Sequence, residues 1–206
     1  MQHAQSEVKP EVTGTGLSED ALRMHLYRLI ARYLTAPPTQ ADLDFAAGLS
    51  ALKGTLLGDR IIALAEAARA TTAQQEADAY QELFIGLGRG LFVPYGSYYL
   101  TGFLHEKPLA RLRVDMGVLG IARSDDIAEP EDHIASVLEM MAGLIGGDFG
   151  PRSSQAQRGF FEAHVGSWAG HFFRDLSLDE TSAFYAAIGA LGSRFVEVEE
   201  RAFQLA

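Results

Sequence analysis

The chain has 206 residues, 48% of them apolar and 21% charged, a balance that supports a buried core and excludes disorder over most of the length. It contains no cysteine, which excludes disulfides, thiolate zinc sites and cysteine nucleophiles. Lys and Arg number 17 against 27 Asp and Glu, a formal net charge of −10; such a field repels phosphate backbones, so nucleic acid is not an expected partner.

Met1 to Thr15 shows no basic flank followed by an apolar core, and no apolar run approaches the roughly 18 residues that span a bilayer. The expectation is a cytoplasmic protein without stable membrane insertion, with a flexible N-terminal tail over 1–16. Ser18, followed by Glu19 and Asp20, has the chemistry of a helix N-cap, and Leu17 and Leu22 have the spacing of a hydrophobic staple. Leu22, Leu26, Leu29, Ile30 and Tyr33 then share a face until Pro37-Pro38 stops the helix. Thr39 caps a shorter helix through Leu43, Leu49 and Leu52, and another carries Ile61, Ile62, Leu64, Ala65 and Ala68 inward. From about Gln74 to Ile85 the stripe is Ala77, Tyr80 and Phe84, ended by Gly86, Gly88 and Gly90.

Leu91 to Leu104 holds five aromatic residues. It has some strand character but no evident partner strand, and it reads as loop with short helix. Pro108 suits the first turn of a helix with Leu109, Leu112, Met116 and Leu119 inward. Pro130 and its flanking acids suit the start of a helix whose apolar face is Ile134, Val137, Leu138, Met141, Leu144 and Ile145. After a Gly/Pro/Ser linker (146–154), Ser154 with Gln157 and Ser177 with Glu180 read as capping boxes. The first precedes a stripe of Phe161, Val165, Trp168 and Phe172; the second precedes Phe184, Ile188, Leu191, Phe195 and Val198. Nearly every segment obeys the helical period, so the expected fold is all-α, a single-domain bundle of about eight to ten helices. Sub-halves at 17–147 and 152–206 are conceivable.

Catalytic patterns fail one by one. There is no His-Glu-x-x-His and no Glu-x-x-His. Asp132 and His133 are adjacent, so on one helix they would point about 100° apart and would not chelate a metal together. Gly86-x-Gly88-x-Gly90 follows a helix and lacks both the final Gly of a dinucleotide loop and a Gly-Lys-Ser/Thr. Ser167 is not in a nucleophile-elbow order. No enzyme activity, metal or resident cofactor is expected. Two features suit binding instead: the tyrosine-rich segment after Phe84, whose hydroxyls need partners if buried, and Glu129-Pro-Glu-Asp-His133, whose acids could meet a guanidinium.

Tyr80-x-x-Leu83-Phe84, Pro94-Tyr-Gly-Ser97-x-Tyr99, Glu129-Pro-Glu-Asp-His133 with Leu138-Glu139-x-Met141, and His164-x-x-x-Trp168-x-x-x-Phe172 occur in that order. Together they resemble the TorD/DmsD family of redox-enzyme maturation chaperones, over roughly Leu22 to Val198. Tyr80 and Tyr95 stand where some relatives carry Trp. The resemblance implies a cytoplasmic, non-catalytic chaperone of TorD-like fold. Its partner would be the precursor of a molybdopterin-dependent oxidoreductase, bound through the precursor's twin-arginine signal peptide and held until cofactor insertion. The contacting residues it implies are Tyr80, Leu83, Phe84, Pro94, Tyr95, Ser97, Glu129, Pro130, Asp132 and His133. The tyrosine loop and Phe103-Leu-His-Glu-Lys-Pro108 look closest to members with formate-dehydrogenase-like clients. Alternatives are a NarJ-type assembly factor for a non-exported molybdoenzyme and a helical scaffold or regulator. A monomer and a dimer swapped across the 146–154 linker are both open.

Overall fold

A computed structural model describes residues 18–123 and 129–205. They form ten α-helices: α1 (Glu19–Thr35), α2 (Gln40–Ala47), α3 (Gly58–Arg69), α4 (Ala73–Tyr80), α5 (Gly96–Thr101), α6 (Lys107–Leu119), α7 (Ile134–Gly146), α8 (Ser154–Phe160), α9 (Ala169–Ser177) and α10 (Ala183–Leu205). Two five-residue turns of wider pitch, Gln81–Ile85 and Phe161–Val165, extend α4 and α8. The all-α expectation holds; the expected tail over 1–16 and the staple residue Leu17 lie outside the described residues.

Helix α7 organises the bundle. Ten of its 13 residues are buried, and a helix that is apolar nearly all round belongs inside other helices. Helix α1 lies along it, while α10 packs against α9 and α3. One continuous buried cluster runs from Tyr27 through Ile134 and Trp168 to Phe203, joining residues from both sides of the 146–154 linker.

Helix starts follow local hydrogen bonding. Ser18 Oγ accepts the amide of Ala21, Thr39 and Asp42 form a reciprocal capping box, and so do Thr72 and Gln75. Other expectations need correction. Leu22 is exposed, and the inward face of α1 is Tyr27, Ile30, Ala31, Tyr33 and Leu34. Helix α2 stops at Ala47, leaving Leu49 and Leu52 beyond it and Leu52 exposed. The cap of α8 is Ser153, one residue earlier than expected. The stripe from Phe161 to Phe172 is buried but belongs to a wide turn, a bend and α9 rather than one helix. The cap of α10 is Ser182, whose Oγ accepts the amides of Phe184 and Tyr185; Ser177 instead bonds back to the carbonyl of Arg174 at the end of α9.

Candidate functional site

The tyrosine segment and the acidic segment meet in a single antiparallel bridge between Tyr95 and His133. Gly96 N–H donates to Asp132 O at 2.9 Å, and Ile134 N–H donates to Pro94 O at 2.8 Å. Tyr95 therefore does have a strand-like partner, one residue long. The bridge leaves Glu129 to His133 ahead of α7 rather than in its first turn: His133 is the N-cap, its Nδ1 accepting the amide of Ala135 at 3.2 Å.

An extended backbone sends alternate side chains to opposite sides, and this alternation sorts the acidic segment. Glu131 and His133 face a groove of about 500 Å³. Asp132 faces the other way, toward a separate hollow that Gly96 and Trp168 also line. Its carboxylate accepts the Ser97 amide at 2.7 Å and so ties down the start of α5. Tyr80, Phe84 and Ile85 line the groove from the α4 side, joined by Pro94, Tyr95, Met116, Ile121, Met140 and Phe149. Arg28, Thr35, Glu139 and Asp148 complete it on the α1 and α7 side, with Arg123, Glu129 and Glu131 at the acidic segment.

Of the residues singled out in the sequence, Tyr80, Phe84, Pro94, Tyr95, Glu129 and His133 are brought together in this groove. Leu83, Ser97 and Asp132 are not. Leu83 is fully buried in the core, because the wide turn Gln81–Ile85 points it inward while Phe84 and Ile85 face the groove. Ser97 is fully buried inside the first turn of α5, and its Oγ has no hydrogen-bond partner among the described residues. Pro130 is half-buried and its carbonyl accepts the His133 amide. These four shape the site and do not line it. Sequence reading missed Arg28, Met116, Met140, Asp148 and Phe149. Glu139 was visible, as the one charged residue of α7.

The glycine run forms a closed loop. Gly86, Leu91 and Phe92 donate to the carbonyls of Gln81, Glu82 and Leu83 in turn, folding the loop back onto the wide turn. Gly86 has φ +62°, and a Cβ there would sit 2.0 Å from Arg89 O; a Cβ on Gly90 would sit 2.5 Å from the Phe84 backbone. Only glycine fits at either place.

The electrostatics are more selective than a count of acids implies. Burial pushes the His133 imidazole down to about 4, although Glu129 and Asp132 favour its charged form; at neutral pH it is an uncharged cap. Glu131 is buried, which alone would raise its carboxyl, but hydrogen bonding from Arg113 and the charges of Arg113 and Arg123 hold it below the usual range. Glu139 is raised by burial and by Asp148, against the pull of Arg28. Arg28 reaches Asp148 at 2.8 Å and Glu139 at 3.8 Å, one guanidinium for two carboxylates. Glu129 accepts the Tyr95 hydroxyl and has no cationic partner among the described residues. Burial, then Glu129, raises the Tyr80 and Tyr95 phenols, so both stay protonated donors. Among the described residues, acids without a cation of their own are thus Glu129 and one of the Glu139–Asp148 pair. No group of three or more metal-binding side chains occurs among the described residues, and no helix is long and apolar enough to cross a membrane.

The sequence pattern of the family described as nitrate reductase delta subunit matches residues 43–174. The chain is 29% identical over 137 residues to the chaperone protein TorD of Vibrio cholerae, covering 62% of each chain. It is 27% identical over 157 residues to TorD of Aliivibrio fischeri, covering 69% of this chain and 73% of that one. A protein of Haemophilus influenzae named "Probable Tat proofreading chaperone DmsD" is 33% identical over 120 residues, 57% of each chain. The match to the Vibrio cholerae relative thus spans less than two thirds of that protein. A crystal structure of an Archaeoglobus fulgidus protein assigned to redox enzyme maturation shares the fold, with a TM-score of 0.57 at 20% identity, over 92% of this chain and 99% of that one. The matched span, well over half of the chain, carries the assignment: the chain belongs to the nitrate reductase delta subunit family, and its relatives are named as TorD and DmsD chaperones rather than as enzymes.

Proposed function

We propose that the protein is a cytoplasmic maturation chaperone whose groove holds the twin-arginine signal peptide of a molybdopterin-containing oxidoreductase precursor until its cofactor is in place. One observation carries the reading: the Tyr95–His133 bridge brings an apolar wall (Tyr80, Phe84, Pro94) and an acid with no cationic partner among the described residues (Glu129) to the same groove. Such a peptide offers guanidinium groups followed by an apolar stretch, which is the complementary pattern. Burying about 400 Å² of apolar peptide contributes on the order of 10 kcal/mol before the costs of association and ordering. Exposed arginine–carboxylate pairs add about 1 kcal/mol each. The apolar wall therefore supplies most of the affinity, and the acids supply selectivity.

Calorimetric titration with a synthetic leader peptide tests this. Replacing leucines of the apolar stretch by serine should remove most of the affinity, while Arg→Gln at the twin arginines should weaken binding about fivefold per charge. Equal binding of the intact and the serine-substituted peptide would contradict the proposal. A second reading, an assembly factor for a non-exported molybdoenzyme, draws on the nitrate reductase delta subunit description of the matched family. It uses the same groove and predicts tight binding of a client N-terminus that lacks paired arginines.

A further inference from the structure

We propose that the groove has an acidic part and an apolar part and admits its peptide in one direction, cationic head among Glu129, Glu139 and Asp148, apolar tail between Phe92, Phe103 and Leu104. This rests on the peptide-binding reading above and adds the direction in which the peptide lies.

A second hollow of about 410 Å³ shares Phe84, Ile85, Pro94 and Tyr95 with the groove, so the two adjoin at these side chains. The chemistry changes at that boundary. Among the described residues no carboxylate lines the second hollow; its walls include Phe92, Phe103 and Leu104, the last two exposed, and the only charged side chain they contribute is Arg89. Arg89 lies over the Tyr98 ring, 4.9 Å from its centre, and donates to the Tyr98 hydroxyl. A guanidinium is therefore held in the apolar hollow, while the groove carries Glu129 beside the shared Tyr95, with no cationic partner among the described residues, and farther along two acids sharing Arg28, with Arg123 also in its lining. A segment entering tail-first would set its arginines against Arg89 and its apolar residues among carboxylates, losing both contributions at once. In the favoured direction the chain beyond the tail leaves beside the Gly86–Gly90 loop, where Leu87 and Leu91 are exposed.

The experiment uses the full chain and a synthetic peptide of two arginines followed by an apolar stretch, with benzophenone at either the head or the tail. The head probe should attach at Met116, Met140 or Phe149, and the tail probe at Leu91, Phe103 or Leu104. The reverse pattern, or both probes in one hollow, would overturn the direction while leaving peptide binding intact; absence of saturable binding would overturn both readings. A charge swap provides the second measurement. Adding lysine at the tail should weaken binding to the native chain about fivefold, and Arg89→Glu should restore it. An added lysine that costs the same in both proteins would count against Arg89 as the pole.

Discussion

Glu129 and Asp132 stand three residues apart and have opposite duties. Glu129 is exposed, and its one hydrogen bond among the described residues is to the Tyr95 hydroxyl. Glu129→Gln should weaken leader-peptide binding about threefold to fivefold in calorimetry and leave the melting temperature unchanged. Asp132 is buried with its carboxylate on the Ser97 amide. Asp132→Ala leaves that buried donor unpaired and should cost about 2 kcal/mol of stability by urea denaturation, with any loss of binding following from the loosened bridge. The sequence brings these residues to notice as a block without dividing them. The division comes from the period of two along an extended backbone, and the bridge that extends this segment lies 38 positions away at Tyr95. Leu83 and Phe84 are separated in the same manner, by a wide turn that helical periodicity does not announce.

At the scale of elements, legibility tracked how local the deciding interaction is. Ser18, Thr39 and Thr72 cap the helices they precede because each bond spans three residues. Near Ser153-Ser154 and between Ser177 and Ser182, several serines compete, and tertiary packing picks the cap. Ser182 is buried and its hydroxyl also donates to Glu76 of α4 at 2.6 Å, a contact across 106 residues. The glycine loop is the other case. Its composition suggests an open turn, but three backbone bonds close it onto Gln81–Leu83. Gly86→Ala should destabilise the protein by about 2 kcal/mol or more, since the positive φ and the Arg89 carbonyl both oppose a Cβ. Urea unfolding and amide exchange at Leu91 and Phe92 would register it.

For the molecule as a whole, the helical periodicity of nearly every segment led directly to an all-α bundle. The groove was legible only as two motifs that had to meet. Its α1 side, Arg28, and its far residues Asp148 and Phe149 come from elements with no motif at all. Acid stability follows from the buried histidines. Above the ordinary histidine range near 6.5, His133 is neutral folded or unfolded and costs nothing. As pH falls from about 6.5 toward 4, the unfolded chain takes up a proton that the folded chain refuses. Stability should drop across that window by on the order of 3 kcal/mol, and His164, also lowered by burial, adds to the loss. Glu131 and Asp42 are held below the carboxylate range, so their contribution is lost only at more acid pH. Denaturation at pH 7 and pH 5 should show the slope, and His133→Asn, which keeps a capping side chain, should flatten it.

The central claim is that one groove, built from two distant segments, takes the leader peptide. Methionine methyl resonances test it directly, because Met116 and Met140 line the groove while Met141 is buried in the core behind it and Met24 lies on α1 outside the lining. Titration with the leader peptide should shift the Met116 and Met140 signals saturably and leave Met141 and Met24 in place. Saturable binding with Met116 and Met140 unmoved would contradict the account.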